Sequence, residues 1–248
     1  MLPLIQIGPL TLRVPGLVLL TSLWLSLEVS AREGGRRGIN SDRIYNFGFT
    51  TLITGILAAR LGFVLLNLGL YTRITPWTRA LGAVFSPVPG TELAWVGLLA
   101  ASGAAAYLIW LWDLSLLDLA DALAPGAAIL AAGIGLANLA SGSAYGIPTG
   151  LPWGVNLHGA HRHPTQVYLA MGSLAALAVA LRLRAMSPPP GLLMQVTLSI
   201  LSISILLTEP LRADSPVVGL GIRTWMAAAL GVLVAALAGF AIRAPSRE

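Results

Sequence analysis

The sequence predicts an all-α integral membrane protein, with about seven transmembrane helices in a single domain that covers residues 1–248. Hydrophobic residues make up 56% of the chain and charged residues only 10%, whereas soluble domains carry about 25% charged residues. Seven apolar runs approach the roughly 20 residues that an α-helix needs to cross the hydrocarbon core. None of these runs alternates in the manner of a β-barrel strand.

The apolar runs follow one another with short polar breaks between them. The first run contains Glu28 near its end, and it has neither the basic start nor the small-residue cleavage site of a secretory signal peptide. We therefore interpret it as a membrane span like the others. In chain order the runs cover residues 14–29, 47–70, 93–112, 114–140, 166–183, 191–207 and 217–242.

The basic residues are all arginine: the chain has 15 of them and no lysine. Planar guanidinium groups suit phosphate and carboxylate partners, although a GC-rich genome and the positive-inside rule would also produce this composition. The densest basic segment, "AREGGRRGINSDR", favours the cytoplasm. We therefore expect the amino terminus outside and the carboxyl terminus in the cytoplasm. The chain has no cysteine, which excludes disulfides, thiolate metal sites and a cysteine nucleophile.

Two polar residues inside the apolar runs are candidates for function. Arg60 lies well inside the second run, where an arginine costs about 2.5–3.5 kcal/mol and needs a partner in the bundle interior. It is either a structural arginine bonded to a carbonyl or carboxylate, or part of a binding site. Asn138 lies near the end of the fourth run. We expect both side chains to enter one interior cavity, beside Gly146, that receives a lipid headgroup.

Charged pairs lie at the ends of two runs. Asp118 and Asp121 are at the start of the fourth run, where carboxylates suit the positive end of the helix dipole. We expect them to cap that helix. Glu209 and Arg212 follow the sixth run at near-helical spacing, and they are interpreted either as an ion pair or as part of a site.

The most polar stretch is "HRHPTQVY", which lies directly before the fifth run. Pro164 suits the first turn of a helix, and the segment from Gly142 to Gly154 holds six glycines and prolines, enough to stop any helix. We expect Gln166 and Tyr168 to hydrogen-bond this loop, and His163 to face the headgroup cavity. The three histidines lack a zinc-ligand spacing, so we expect no metal.

Five segments together resemble the prolipoprotein diacylglyceryl transferase family. "RHPTQVY" is similar to the family's arginine-histidine-proline-serine/threonine-glutamine-leucine-tyrosine motif, and the other four segments occur in the family's order over most of the chain. Seven spans and an outside amino terminus also fit this family. The other four segments are "IGPLTL", "AARLGFVLLN", "DALAPGAAI" and "NLASGSAYGIPTGLPWGV".

The resemblance implies a transferase at the outer leaflet of the bacterial cytoplasmic membrane. Such enzymes move a diacylglyceryl group from phosphatidylglycerol to the lipobox cysteine thiol of a preprolipoprotein. We expect phosphatidylglycerol or another anionic phospholipid and the signal peptide as partners, with no cofactor and no nucleic acid. His163 is the candidate catalytic base, because a neutral imidazole can accept the thiol proton. The candidate positions for lipid and substrate binding are Arg60, Asn138, Gly142, Gly146, Arg162, Gln166, Tyr168, Glu209 and Arg212.

The chain departs from the family at several charged positions. Gly135 stands where the family has an arginine in its loop motif, and Ser143 where an acidic residue is usual. No histidine lies near Trp95, and Ile205 and Leu169 replace an arginine and a glutamate. An alternative is therefore a non-catalytic member that binds lipid or packs against other membrane subunits. A transporter is disfavoured, since paired interrupted spans are missing.

Overall fold

The computed structural model describes residues 4–7, 10–73, 76–85, 93–218 and 221–243. Residues 8 and 9 of the "IGPLTL" segment and residues 219 and 220 of the last apolar run lie outside the described residues. The chain divides into two compact units, Met1–Gly38 with Leu117–Glu248, and Ile39–Leu116. The expectation of one domain over the whole chain stays a prediction.

Helices dominate the described part of the chain, and three short hairpins accompany them. The helices are α1 (Val14–Arg36), α2 (Ser41–Leu66), α3 (Leu68–Tyr71), α4 (Trp77–Phe85), α5 (Ala94–Leu111), α6 (Leu116–Ser141), α7 (Thr165–Arg184), α8 (Leu192–Thr208) and α9 (Thr224–Arg243). The hairpins pair β1 (Leu4–Ile7) with β2 (Leu10–Arg13), β3 (Val155–Leu157) with β4 (Ala160–Arg162), and β5 (Val217–Val218) with β6 (Ile222–Arg223), all antiparallel.

The predicted all-α membrane class is confirmed. Within the described residues, six helical stretches are long and apolar enough to cross a membrane, and α9 contributes a shorter apolar stretch, Thr224–Phe240. Each of these seven overlaps one of the seven apolar runs of the sequence. The last run was predicted to begin at residue 217, but α9 begins at Thr224, because the hairpin of β5 and β6 precedes it. The sequence analysis did not predict the short helix α3, the amphipathic helix α4 or any of the three hairpins. The hairpin of β3 and β4 lies inside the glycine- and proline-rich loop.

The first two helices are longer than their apolar runs. Helix α1 continues through the polar segment after residue 29 and ends at Arg36, because Ser30 and Glu33 are buried in this unit, at 1% and 3% exposure. Helix α2 begins at Ser41, where the side chain of Asn40 accepts a hydrogen bond from the backbone N–H of Asp42 at 2.8 Å. The basic segment is therefore largely helical.

Small residues let α6 pack closely within the first unit. A Cβ atom at Gly126 or Gly133 would overlap the side chains of Ser30 and Ser22 on α1, so the two helices approach as glycine-containing membrane helices do. Helix α7 packs along α8, and α8 packs along α9. Helix α6 is the most buried span of those described, which places it in the interior of this unit.

The second unit is built on α2 and α5. A Cβ atom at Gly97 of α5 would lie 2.7 Å from the backbone oxygen of Gly55 on α2, so the close contact between these helices depends on both glycines. Arg60 of α2 donates from Nε to the carbonyl of Val84 and from Nη2 to that of Ala83, each at 2.7 Å. Arg60 therefore binds the carboxyl-terminal end of α4, where a cation interacts favourably with the helix dipole.

The expectation that Asp121 caps its own helix is wrong. Its side chain is fully buried, and its carboxylate accepts hydrogen bonds from the backbone N–H groups of Gly191 and Met194 at 2.7 and 2.8 Å. Those groups belong to the amino-terminal end of α8. Arg37 Nη1 approaches Asp121 to 3.0 Å and Asp118 to 3.5 Å. Asp121 thus joins the ends of α1, α6 and α8, because its carboxylate accepts hydrogen bonds from amides of α8 that lack partners within the helix.

Candidate functional site

The candidate site forms where α6 ends and α7 begins, and we call it the loop site. Helix α6 stops where Gly142 adopts a left-handed conformation, with φ of 77°, as glycine commonly does after a helix. The backbone N–H of Ser143 then donates to the carbonyl of Asn138 at 3.0 Å. The loop site comprises Gly142, Tyr145, Gly146, Trp153, Arg162, His163, Gln166, Tyr168, Glu209, Arg212, Asp214 and Arg223.

Residues 145–149 of the loop form an extended segment between two other segments, residues 211–213 and residues 161–163. On one side, Ile147 N–H donates to the carbonyl of Leu211 at 2.8 Å, and Ala213 N–H donates to that of Tyr145 at 2.9 Å. On the other side, Thr149 N–H donates to the carbonyl of His161 at 2.9 Å, and a further bond links residues 163 and 147. The loop is therefore a small ladder of strands, which brings residues 161–163 and 211–213 to one place.

Gly146 is at the centre of this ladder. A Cβ atom there would overlap the backbone oxygen of His163 and lie 2.7 Å from the Cβ atom of His163. Real Cβ atoms do not approach neighbours so closely, so the position accepts only glycine without movement of the start of α7. The absence of a side chain at Gly146 thus sets the distance between the loop and His163.

The first turn of α7 holds the loop by hydrogen bonds. Gln166, which is 1% exposed, donates from Nε2 to the carbonyl of Ser143 at 2.8 Å, and Thr165 Oγ1 donates to the carbonyl of Ala144 at 2.6 Å. Tyr168 Oη accepts a bond from Trp153 Nε1 at 2.8 Å. The predicted contacts of Gln166 and Tyr168 with the loop are confirmed, and α7 begins directly after Pro164 as predicted.

The three histidines have different surroundings. His163 Nδ1 lies 3.3 Å from Tyr168 Oη, so His163, Tyr168 and Trp153 form a hydrogen-bonded chain along the start of α7. His158 Nε2 lies 3.1 Å from the carbonyl oxygen of Gly142. His161 Nε2 lies 2.9 Å from that of Leu151. Each histidine therefore contributes to the fold of the loop.

Arg162 binds the loop backbone. Its Nε donates to the carbonyl of Leu157 at 3.0 Å and its Nη1 to that of Gly146 at 3.2 Å. Its guanidinium carbon lies 5.0 Å from the centre of the Tyr145 ring, within the range of a cation–π contact. The positive charge of Arg162 is therefore held beside Gly146.

Arg212 and Glu209 form an ion pair, one of the two interpretations that the sequence left open. Arg212 Nη1 lies 3.2 Å from Glu209 Oε2, and Nη2 lies 3.0 Å from Asp214 Oδ1. Arg223 Nη1 donates to the carbonyl of Arg212 at 2.7 Å and also to that of Glu209. Glu209 is 2% exposed, so its charge depends on Arg212 and on a hydroxyl bond from Ser215.

Four members of the loop site were not among the candidate residues of the sequence analysis: Tyr145, Trp153, Asp214 and Arg223. Asp214 accepts from the backbone N–H of Ala144 at 2.7 Å as well as from Arg212, and it ties the segment after α8 to the loop. Arg223 bonds the carbonyls of Arg212 and Glu209, and Tyr145 contacts the guanidinium of Arg162. The alternation of charge in "EPLRAD" was a signal for Asp214, whereas the position of Arg223 depends on the β5–β6 turn.

The contacts of Arg60 and Asn138 account for only part of the roles that were expected of these two residues. Arg60 belongs to the second unit and bonds the carbonyls at the end of α4, in agreement with the interpretation of a structural arginine. Asn138 has its carbonyl engaged by Ser143 N–H and Ser141 Oγ. The cavity that Arg60 and Asn138 were expected to share stays a prediction.

Gly135 leaves no room for a side chain. A Cβ atom there would lie 2.8 Å from the backbone oxygen of Gln166 and 3.1 Å from the backbone nitrogen of Ala170. Helix α6 thus contacts the backbone of α7 directly at the position where the family motif has an arginine. Glycine at this position permits the close contact between the two helices, which a larger side chain would prevent.

The arrangement gathers three arginines and two carboxylates around a backbone that has no side chain at Gly146. Arg162 and Arg212 approach the same extended segment from its two sides, and Gly146 pairs with Arg212 in the ladder. Guanidinium groups so placed can stabilise a phosphate or a thiolate. The loop site is therefore suited to bind an anionic headgroup and an ionised nucleophile.

Comparison with known proteins identifies the family. Residues 3–242 match the model of the family described as prolipoprotein diacylglyceryl transferase. A protein of Trichormus variabilis named phosphatidylglycerol–prolipoprotein diacylglyceryl transferase is 30% identical over 238 residues, which cover 87% of this chain and 80% of the relative. Proteins of the same name from Clostridioides difficile and Frankia alni are 26% and 28% identical, and the alignments cover 82% and 94% of this chain and 80% and 64% of the relatives. The chain belongs to the prolipoprotein diacylglyceryl transferase family.

Proposed function

We propose that this chain transfers the diacylglyceryl group of phosphatidylglycerol to the cysteine thiol of a prolipoprotein. The observation that carries the proposal is the loop site, in which the family's histidine-proline-glutamine-tyrosine motif holds a loop that places Arg162 and Arg212 on either side of Gly146. The match to the family model over residues 3–242 supports the same reaction. The names of the relatives supply phosphatidylglycerol and prolipoprotein as the two substrates.

The reaction makes two demands on the loop site. The cysteine sulfur forms a bond to the terminal glycerol carbon of the diacylglyceryl group, and the bond from that carbon to the phosphate oxygen breaks. Glycerol phosphate leaves with the bonding electrons, and the thiol loses its proton. Cationic groups stabilise the charge that develops on the departing phosphate, and the same positive field favours the thiolate over a thiol with an ordinary pKa of about 8.5.

We assign these demands to the arginines of the loop site. Arg162 and Arg212 supply the cationic groups. The guanidinium of Arg162 donates to the carbonyl of Gly146, and that of Arg212 is held by Glu209 and Asp214. His163 is assigned a positioning role, since its ring bonds Tyr168 and thereby Trp153. The thiol proton passes to water, and the imidazole of His163 is the alternative acceptor that the His163→Gln substitution tests.

Complementation tests the proposed reaction in cells. We expect that the full-length chain restores growth to a bacterium depleted of its own diacylglyceryl transferase and returns lipid-modified lipoproteins to its membrane, detected by the gel shift of a reporter lipoprotein. An expressed, membrane-inserted chain that leaves the reporter unmodified would contradict the proposal and favour a non-catalytic lipid-binding member.

The same strain separates the two roles of His163. Glutamine can keep a hydrogen bond to Tyr168 but cannot accept a proton near neutral pH. We expect His163→Gln to retain modification of the reporter within a few-fold of the unsubstituted chain, in agreement with a positioning role. Loss of modification in a His163→Gln protein that is present at normal abundance would instead make His163 the base.

We also propose the orientation in the bacterial cytoplasmic membrane, with the loop site at the outer face. The cluster of Arg32, Arg36, Arg37 and Arg43 supports it, since arginine is enriched on the cytoplasmic side of spans. A reporter fused after Gly38 is expected to be active only in its cytoplasmic form, and one inserted between Gly150 and Gly159 only in its external form. The same compartment for both fusions would overturn the orientation.

A further inference from the structure

A second polar pocket lies at the other end of the first unit. It is lined by Glu33, Arg36, Arg37, Arg184, Ser187 and Pro188, and has a volume of about 460 Å³, within the range of about 300–1,000 Å³ that is typical of ligand pockets. Asp121, behind Arg37, and Ser141, next to the loop site, are separated along α6 by about 30 Å at a rise of 1.5 Å per residue. This arginine pocket is therefore separate from the loop site.

The polar groups of the arginine pocket are paired loosely. Glu33 Oε1 lies 3.7 Å from Arg37 Nε, and Glu33 Oε2 lies 3.6 Å from Arg184 Nη1. Both Glu33 Oε2 and Arg37 Nε are buried without a hydrogen-bond partner in the described part of the chain. Direct bonds between arginine and carboxylate are usually about 2.7–2.9 Å long, and buried polar atoms without partners are rare. These two atoms therefore have hydrogen-bonding capacity that the described residues leave unmet.

The neighbouring ion pairs do not use the hydrogen-bonding capacity of Glu33 Oε2 and Arg37 Nε. Arg37 Nη1 is occupied by Asp121, which is itself held by the amides at the start of α8. Arg37 Nε, by contrast, has no hydrogen-bond partner among the described residues. Arg36 lies exposed at the rim and makes no ion pair with any residue that the structure describes. The pocket thus offers donors from three arginines together with one buried carboxylate oxygen as an acceptor.

These donors and this acceptor define a ligand. The arginine groups require an anion with several acceptor oxygens, and a phosphate suits their planar fork. Glu33 Oε2 requires a hydrogen-bond donor close to that phosphate. We propose that the arginine pocket binds a phosphate group that carries a hydroxyl or ammonium donor. A phospholipid headgroup and a soluble glycerol phosphate both have this chemistry.

The proposal is tested with the full-length protein in detergent, titrated with phosphatidylglycerol and followed by native mass spectrometry. The arginine that is removed, Arg36, is exposed, so Arg36→Ala is expected to fold normally. Arg182→Ala is the matched control, because Arg182 is an exposed arginine in the last turn of α7, beside Arg184, and does not line the pocket. Arg184→Gln is a second pocket variant that retains hydrogen-bonding capacity without the charge.

We expect both pocket variants to weaken one phosphatidylglycerol binding event about tenfold, as loss of a charge-assisted hydrogen bond implies, and the control to leave it unchanged. Phosphatidylmethanol, which has the same charge but no headgroup donor, should bind more weakly than phosphatidylglycerol. A lipid bound at the loop site does not depend on Arg36, so the Arg36-dependent event reports on the arginine pocket alone.

A separate titration with glycerol phosphate distinguishes the source of the ligand. Binding of glycerol phosphate that depends on Arg36 and Arg184 would identify a soluble phosphate, and its failure to bind, with lipid binding as expected, would identify a headgroup. Lipid and glycerol phosphate binding that are both unaffected in the two pocket variants, or equally weakened by Arg182→Ala, would overturn the proposal. Equal affinities for phosphatidylglycerol and phosphatidylmethanol would refute the donor that pairs with Glu33.

Discussion

Asp121→Asn is expected to destabilise the protein by about 3–5 kcal/mol, since it breaks a buried ion pair from one side. The carboxylate is fully buried, accepts from two backbone amides at the start of α8 and pairs with Arg37 at 3.0 Å. Asparagine has nearly the same volume, yet it leaves the arginine without its buried charge partner. We expect the melting temperature in detergent, followed by tryptophan fluorescence, to fall on the order of 10 °C.

Asp118→Asn is the matched control for this substitution. Asp118 lies 3.5 Å from the same Nη1 atom of Arg37, but its side chain is 32% exposed, and exposed ion pairs contribute about 0–1 kcal/mol. A melting temperature within a few degrees of the unsubstituted protein is expected. If the two substitutions lower the melting temperature equally, the connection of α1, α6 and α8 through Asp121 is not what stabilises this end of the unit.

Gly146→Ala is expected to abolish transfer and to destabilise the loop site by about 1–3 kcal/mol, the usual effect of adding a methyl group where no space exists. The new Cβ atom would overlap the backbone of His163. The start of α7 must then move away from residues 145–149, which separates Arg162 from the segment that it binds. Modification of a reporter lipoprotein in a transferase-depleted strain measures the loss, and melting in detergent measures the destabilisation.

Gly150→Ala provides the control in the same loop. No atom lies within 4 Å of the position that a Cβ would take at Gly150, so this substitution should leave both reporter modification and the melting temperature unchanged. A Gly146→Ala protein with normal modification would show that the close approach of Gly146 to His163 is not required. Equal losses in both variants would point to a general sensitivity of the loop instead.

The membrane class and the spans could be predicted because apolar length is a local property of the sequence. The start of α7 after Pro164 and the end of α6 at Gly142 were equally local, since each depends on the conformation of one residue. The motif around Gln166 also predicted its bond to the loop, which the structure confirms. Features that depend on neighbouring residues in the chain could therefore be predicted from the sequence.

The ladder around residues 145–149 could not be predicted from neighbouring residues. It is held by isolated bridges, which are too short to show the alternation that identifies a strand. One of them pairs Gly146 with Arg212, which is 66 positions further along the chain. The glycine- and proline-rich composition predicted a loop, and the pairing partners decide its shape. Burial of Glu33 escaped prediction for the same reason, because its partner Arg184 is distant in sequence.

Transfer by the purified protein tests the central proposal most directly. Full-length chain in detergent is mixed with phosphatidylglycerol and a synthetic peptide that contains a lipobox cysteine, and the peptide mass and the released glycerol phosphate are both measured. We expect one diacylglyceryl group on the cysteine for each glycerol phosphate released, and neither product with a serine in place of the cysteine. A folded protein that yields no modified peptide and no glycerol phosphate would contradict the proposed function.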